Sequence, residues 1–321
     1  MLADLWRRRP ALAGIDIGTR TISVVQAAPP ARGMQVRILG AGEAPTPPGS
    51  FHEGQVLDAK LLGEGIRQAV AQAKISARAA ALAVPAQYGF LRRVTFPKMP
   101  LRELRATIDL QPERYIPLAR EGSVYDVNIL PGEAADGQMT AVVAAAPRQS
   151  VADLMAACRF GGLKPQRIDL EPLALHRALV VGGLADRAAA IALVDLGASA
   201  AKISLFEGEV PLISRVVDMP RSQVEGDFFA GVGTEELFLD IRRSLEFALT
   251  QSEVRPSRVY IAGGAGTDEF LLISLTGYLR SYLAGRLAAD FQVEPLRAPD
   301  LGITQAQMLA FGLSVAPEQM P

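Results

Sequence analysis

The sequence predicts an α/β protein built as two copies of one unit, and three observations carry that prediction. The stretch "GIDIGTRTIS" at Gly14 is answered by "LVDLGASAAK" at Leu193, so that Asp16 and Gly18 recur as Asp195 and Gly197, each 179 positions on (195 − 16, 197 − 18). The elements after each Asp repeat in order: strand, strand, helix, strand. The 321 residues exceed the usual size of one domain, which suits two lobes with a cleft between them.

In the first copy, the strand ending at Asp16 is followed by "TISVVQAA", a turn at "PPARG" and a further strand "MQVRILGAGEA". Leu62, Ile66, Ala69, Val70 and Ala73 then recur at helical spacing. The strand "AALAVPA" follows at 80–86. In the second copy the series is "AKISLF", the turn "EGE", "VPLISRVVDM", a helix carrying Leu237, Ile241, Leu245, Ala248 and Leu249, and "RVYIAGGAG" at 258–266. Between the copies stand a predicted helix over 101–115, strands near 123–130 and 138–146, a helix near 149–161 and the strand "PQRIDLE". A last helix is expected near 303–313.

Composition narrows the function. A net charge of −1 gives no global basic field for nucleic acid. One cysteine, Cys158, fits a reducing compartment, and two distant histidines, His52 and His176, argue against a histidine metal site. No apolar run approaches the roughly 18 residues of a membrane span. "MLADLWRRRP" reads as a solvated end in preference to a membrane-touching segment. No nucleophile triad or converging carboxylate pair is visible.

The repeated turn suits phosphate. A glycine at the bend exposes backbone N–H groups, and an aspartate closing the preceding strand can hold a water of Mg²⁺. Asp16, Gly18, Thr19 and Thr21 form one such turn, and Asp195, Gly197, Ser199 and Lys202 the other. Gly263, Gly264 and Gly266 allow close approach of a base or ribose.

These motifs resemble the two phosphate motifs and the adenosine motif of the actin/Hsp70/sugar-kinase superfamily. "MLADLWRRRPALAGIDIGTRTISVVQ", "FPKMPLRELRATIDLQPERYIPL" at 96–118, "VVAAAPRQSVADLMAACRFGGLKPQRIDLEPLAL" and "AQMLAFGLSV" are similar to the PilM family, the actin-like cytoplasmic proteins of type IV pilus assembly. The resemblance implies an actin-like fold: a first lobe over 1–87, 169–190 and 303–317, an inserted subdomain of the IC type over 88–168, and a second lobe over 191–302. It implies ATP or ADP with Mg²⁺ as ligand, with Asp16 and Asp195 holding the metal through water. It also implies a location at the inner face of the inner membrane. The expected partner is the N-terminal tail of a PilN-like inner-membrane protein, met by Leu104, Ile108, Tyr115 and Ile116, with other assembly proteins and the motor ATPases beyond it.

Two departures weaken the nucleotide site. Ser23 stands where the family usually carries a lysine, and the helices of subdomain IIB are reduced or absent after Met219, with "EGDFF" at 225–229 as a remnant. Lys202 reads equally as a partial substitute or as a solvated strand residue. The expected protein is therefore a binding component more than an enzyme. An active ATPase or small-molecule kinase is the alternative; an FtsA-like filament protein and a GspL-like secretion domain fit less well.

Overall fold

The computed structural model describes residues 12–28, 36–117, 122–130, 137–218, 234–252, 254–263, 269–287, 291–297 and 301–315. The arginine-rich start, Gly264, Gly266 and the 225–229 stretch lie outside them. The chain folds as two compact units, one of Met1–Ala83, Asp153–Ala185 and Arg297–Pro321, the other of Val84–Ala152 and Asp186–Leu296.

The first unit is built on a sheet of β1 (Ala13–Ile17), β2 (Thr21–Ala28), β3 (Arg37–Pro45), β6 (Ala79–Val84) and β10 (Lys164–Leu170), in the order β10-β6-β1-β2-β3. Two short strands, β4 (Phe51–His52) and β5 (Gln55–Val56), make a separate ribbon. Helix α1 (Ala59–Ala73) starts where the Asp58 carboxylate caps the N–H groups of Lys60 and Leu61, and buries Leu62, Ile66, Ala69 and Ala73. On the sheet's other face lies α8 (Met308–Ser314), preceded by a 3₁₀ turn at Gln305–Gln307 and packed against α5 (Glu171–Val181).

That packing depends on two glycines. A methyl group on Gly14 of β1 would overlap the Ala310 carbonyl oxygen of α8, and one on Gly312 of α8 would overlap the Ala174 carbonyl oxygen of α5. The last carbonyls of α8 have no partners within the helix. Arg177 donates to the Gly312 carbonyl at 2.9 Å. Arg167 donates to the Leu313 carbonyl and, at 2.8 Å, to that of Val315. Asp169 lies 2.9 Å from Arg177 and 3.8 Å from Arg167, balancing their charge.

In the second unit, β11 (Ala190–Leu196), β12 (Ala200–Glu207), β13 (Val210–Asp218), β14 (Arg258–Gly263) and β15 (Gln292–Pro295) are ordered β13-β12-β11-β14-β15. Helices α6 (Thr234–Gln251) and α7 (Glu269–Leu283) pack on this sheet, where Leu237, Ile241, Leu245, Leu271, Leu275 and Leu279 join its core. Strand for strand this is the first sheet again, and the register repeats with it. Ala13↔Ala80 becomes Ala192↔Val259, the same 179 positions on (192 − 13, 259 − 80). The β2–β3 bulge between Gln26 and Ala27 recurs in β12–β13 between Leu205 and Phe206, again offset by 179 (205 − 26).

Between β6 and β10 the chain adds β7 (Phe90–Pro97), α2 (Leu101–Leu110), α3 (Pro112–Tyr115), β8 (Ser123–Ile129), β9 (Gln138–Pro147) and α4 (Arg148–Phe160). The three strands form a sheet β7-β9-β8, and β7 lies beside β13 in the second unit, where Arg93 meets Glu207 at 3.6 Å. From Asp153 onward, α4 belongs to the first unit: Phe160 packs on Gly63 of α1, and its carbonyl accepts from Arg67 at 2.6 Å. The sequence boundary at 168 falls inside β10.

The predicted 101–115 helix is two. Pro112 has no N–H to give, and it pushes Gln111 out of helical geometry, to φ −140 and ψ 59. Helices α5 and α7 have no counterpart in the sequence reading. Helix α5 is buried on nearly every side and α7 is apolar over most of its length, so neither shows a clear amphipathic period.

Candidate functional site

Each repeated motif folds as a strand, a four-residue turn and a returning strand. In the first, the Gly18 N–H donates to the Thr21 carbonyl at 3.0 Å; in the second, the Gly197 N–H donates to the Ala200 carbonyl at 2.9 Å. A Cβ on Gly18 would lie 3.0 Å from the Thr21 oxygen and one on Gly197 2.9 Å from the Ala200 oxygen, so both bends are tight against their own carbonyl. Thr19 and Ser199 are the small hydroxyl residues within these turns.

Thr46, which the sequence reading passes over, braces the first turn. Its hydroxyl donates to the Gly18 carbonyl at 2.7 Å and its N–H donates to the Arg20 carbonyl at 3.0 Å. Nothing local marks it, because it follows the end of β3 and reaches the turn only through sheet pairing. Asp16 stands across from Ser23, and Ser23 across from Glu43, so the three share one row on the α8 face. Glu43 accepts a hydrogen bond from the Thr304 hydroxyl at 2.9 Å.

The second hairpin has a different electrical character. Asp195 stands across from Lys202, and the Lys202 Nζ lies 3.5 Å from the Asp195 carboxylate, with side-chain exposures of 16% and 21%. Lys202 is thus a largely buried ion-pair residue of the hairpin, not a solvated strand residue. Gly263 pairs with Leu196, which sets it beside the Gly197 turn at the carboxyl ends of the parallel strands β11 and β14. Behind it, burial raises the Tyr260 phenol pKa, against the opposing pull of Arg258.

Asp195, Gly197, Ser199, Lys202 and Gly263 therefore come together in the second unit, and Asp16, Gly18, Thr19 and Thr21 in the first. Among the described residues, no group of three or more His, Cys, Asp or Glu side chains is placed to hold a metal. The donor set at Asp195 fits a phosphoryl anion better than Mg²⁺, because a cation already occupies the carboxylate.

The partner residues expected on α2 and α3 need a correction. Leu104, Ile108 and Ile116 are 0%, 0% and 1% exposed and form the core of the small subdomain with Phe96, Val127, Met139 and Val143. Side chains committed to that core cannot touch a partner. Tyr115 is half-buried, its ring 5.0 Å from that of Phe96 and covered by the Arg114 guanidinium at 5.7 Å. What α2 offers to solvent includes Leu110, which is 77% exposed.

A network of charge and phenol lies beside it. Arg105 pairs with Asp126, and the Tyr125 hydroxyl donates to Asp109. Burial, followed by that bond to the Asp109 carboxylate, pushes the Tyr125 pKa up to about 12. No described helix is long and apolar enough to cross a membrane.

A family model for type IV pilus assembly protein PilM matches residues 14–219. Among solved structures, the chain is similar to the PilM-PilN type IV pilus biogenesis complex, with 26% identity, coverage of 95% of this chain and 98% of that one, and a TM-score of 0.76. It is also similar to the cytoplasmic domain of EpsL, an inner membrane component of the type II secretion system of Vibrio cholerae. There the identity is 12%, the coverage 94% and 93%, and the TM-score 0.52, a likeness of fold alone. The twice-built sheet is thus an actin-like fold, and because the family match takes in more than half of its length, the chain belongs to the PilM family of type IV pilus assembly proteins.

Proposed function

We propose that this chain is a component of the type IV pilus inner-membrane platform that holds the N-terminal cytoplasmic tail of a PilN-like protein. The observation that carries the reading is the structural likeness, across nearly the full length of both chains, to a PilM bound in a PilM–PilN complex. On this reading the protein stands at the cytoplasmic face of the inner membrane through its partner. The subdomain between β6 and α4 takes part in docking, with the buried Leu104, Ile108 and Ile116 shaping its surface from below. An extended tail suits such a surface, because main-chain hydrogen bonds supply affinity and alternate side chains supply register.

The nucleotide site is weak on the same reading, and turnover is negligible. Ser23 gives no charge to a phosphate, and Asp195 is engaged by Lys202. A phosphoryl-transfer enzyme needs a carboxylate at liberty to orient the nucleophile or the metal.

Titration of a synthetic peptide carrying the N-terminal tail of the cognate PilN-like protein into the full chain tests the docking reading. Saturable binding is expected, with hydrogen-exchange protection over 84–152 that a scrambled peptide does not give. No binding, or protection confined to the second sheet, removes it.

A further inference from the structure

The offset of 179 positions carries Ser23 onto Lys202 (202 − 23). Both stand directly across from the hairpin's aspartate, so one slot of the repeated unit holds a buried hydroxyl in the first copy and an ammonium in the second. The Lys202 Nζ lies 3.5 Å from the Asp195 Oδ2, and a Cβ on Gly197 would come within 4.0 Å of it. The ammonium therefore hangs over the start of the turn, while most of its side chain is shielded from water.

Two ligands make opposite demands on that arrangement. A hydrated Mg²⁺ donates its waters' hydrogens to the carboxylate and keeps a near-ideal octahedron of oxygens. To sit there it must displace the ammonium from Asp195 and then tolerate a like charge a few ångströms away in a partly desolvated place. A phosphoryl oxygen brings negative charge to the ammonium and needs no metal, and the glycine at the bend brings no side chain of its own toward Nζ.

We propose that the second hairpin takes a nucleotide phosphoryl group directly on the Lys202 ammonium, so that nucleotide binding by this chain does not depend on a divalent cation. Asp195 is the counter-ion that holds the ammonium in position when no phosphate is there. The inference rests on reading this hairpin as a phosphate turn, and it is independent of tail docking.

The test is a fluorescence titration of the full chain with N-methylanthraniloyl-ADP, in Mg²⁺ and again in EDTA. The two dissociation constants are expected to agree to better than about tenfold. In EDTA, Lys202→Met should weaken binding by about tenfold or more, while Lys202→Arg, which keeps the charge, should stay within tenfold of the unaltered chain. Circular dichroism of both variants excludes unfolding as the cause. A loss of tenfold or more on chelation, full affinity in Lys202→Met, or no binding in either buffer overturns the proposal. The tail titration is run separately on the unaltered chain, so that a failure of either reading is recognised by itself.

Discussion

Gly312 and Gly277 are both helical glycines, and their surroundings give them opposite roles. A Cβ on Gly312 meets the backbone of Ala174, which cannot swing aside, whereas one on Gly277 of α7 meets nothing within 4 Å. Overpacking against fixed backbone forces α8 off β1 and α5 together, because Gly14 locks the opposite side of the same helix. Gly312→Ala is expected to lower stability by about 3 kcal/mol. Gly277→Ala, which removes backbone entropy from the unfolded chain at an open site, is expected to raise it by about 0.5–1 kcal/mol. Urea unfolding of the two variants beside the parent distinguishes them, and equal shifts would mean that α8 has room to move. Arg167, Arg177 and Asp169 belong to the same anchor: their hydrogen bonds end α8 where no glycine or cap residue does.

At the scale of elements, α2 and β8 are joined by a phenol held neutral. The Tyr125 pKa is pushed up to about 12 by burial and then by the neighbouring Asp109, from an ordinary value of 10.0. The folded chain then keeps the Tyr125 proton through a range in which the unfolded chain loses it. This contribution to stability is full below pH 10 and is lost as pH rises from 10 toward 12. Chemical unfolding followed across that range should show stability falling with pH, with a shallower slope in Tyr125→Phe. An unchanged slope would place the alkaline sensitivity elsewhere.

For the whole molecule, the repeated topology says where the first copy is interrupted. Helix α4 and strand β10 stand in the chain between β6 and α5, and β10 is the edge strand of the first sheet. They correspond to α7 and β15 in the second copy. A chain shortened by 88–168 loses that edge, together with the buried Leu154, Ala157 and Cys158 of α4. It should be poorly folded by circular dichroism and rapidly cut by protease. A chain shortened by 88–147 and closed with a flexible linker keeps both elements and should resist far better. Equal resistance of the two would mean that α4 and β10 are dispensable to the first unit.

Much of this was legible in the residues. Alternating apolar positions, one helical period per copy and an aspartate–glycine turn written twice are local signals, and they determine the duplicated α/β plan, the phosphate-like turns and the family. The tertiary structure alone decided what depends on distant partners. Leu104, Ile108 and Ile116 have the apolar spacing of a binding stripe and of a core face alike; only the strands packed on them show that they are core. Helix α5 carries no clear amphipathic period because neighbours cover most of its circumference, and α7 carries none because apolar residues such as Phe270 and Ile273 stand on its exposed side as well. Thr46 meets the first turn across 28 residues. The pairing of Lys202 with Asp195 follows from strand register, which is set by the bend at Gly197 rather than by either charged residue. Periodicity is a property of a segment read alone, whereas register, close approach and ion pairing exist only once two segments have met.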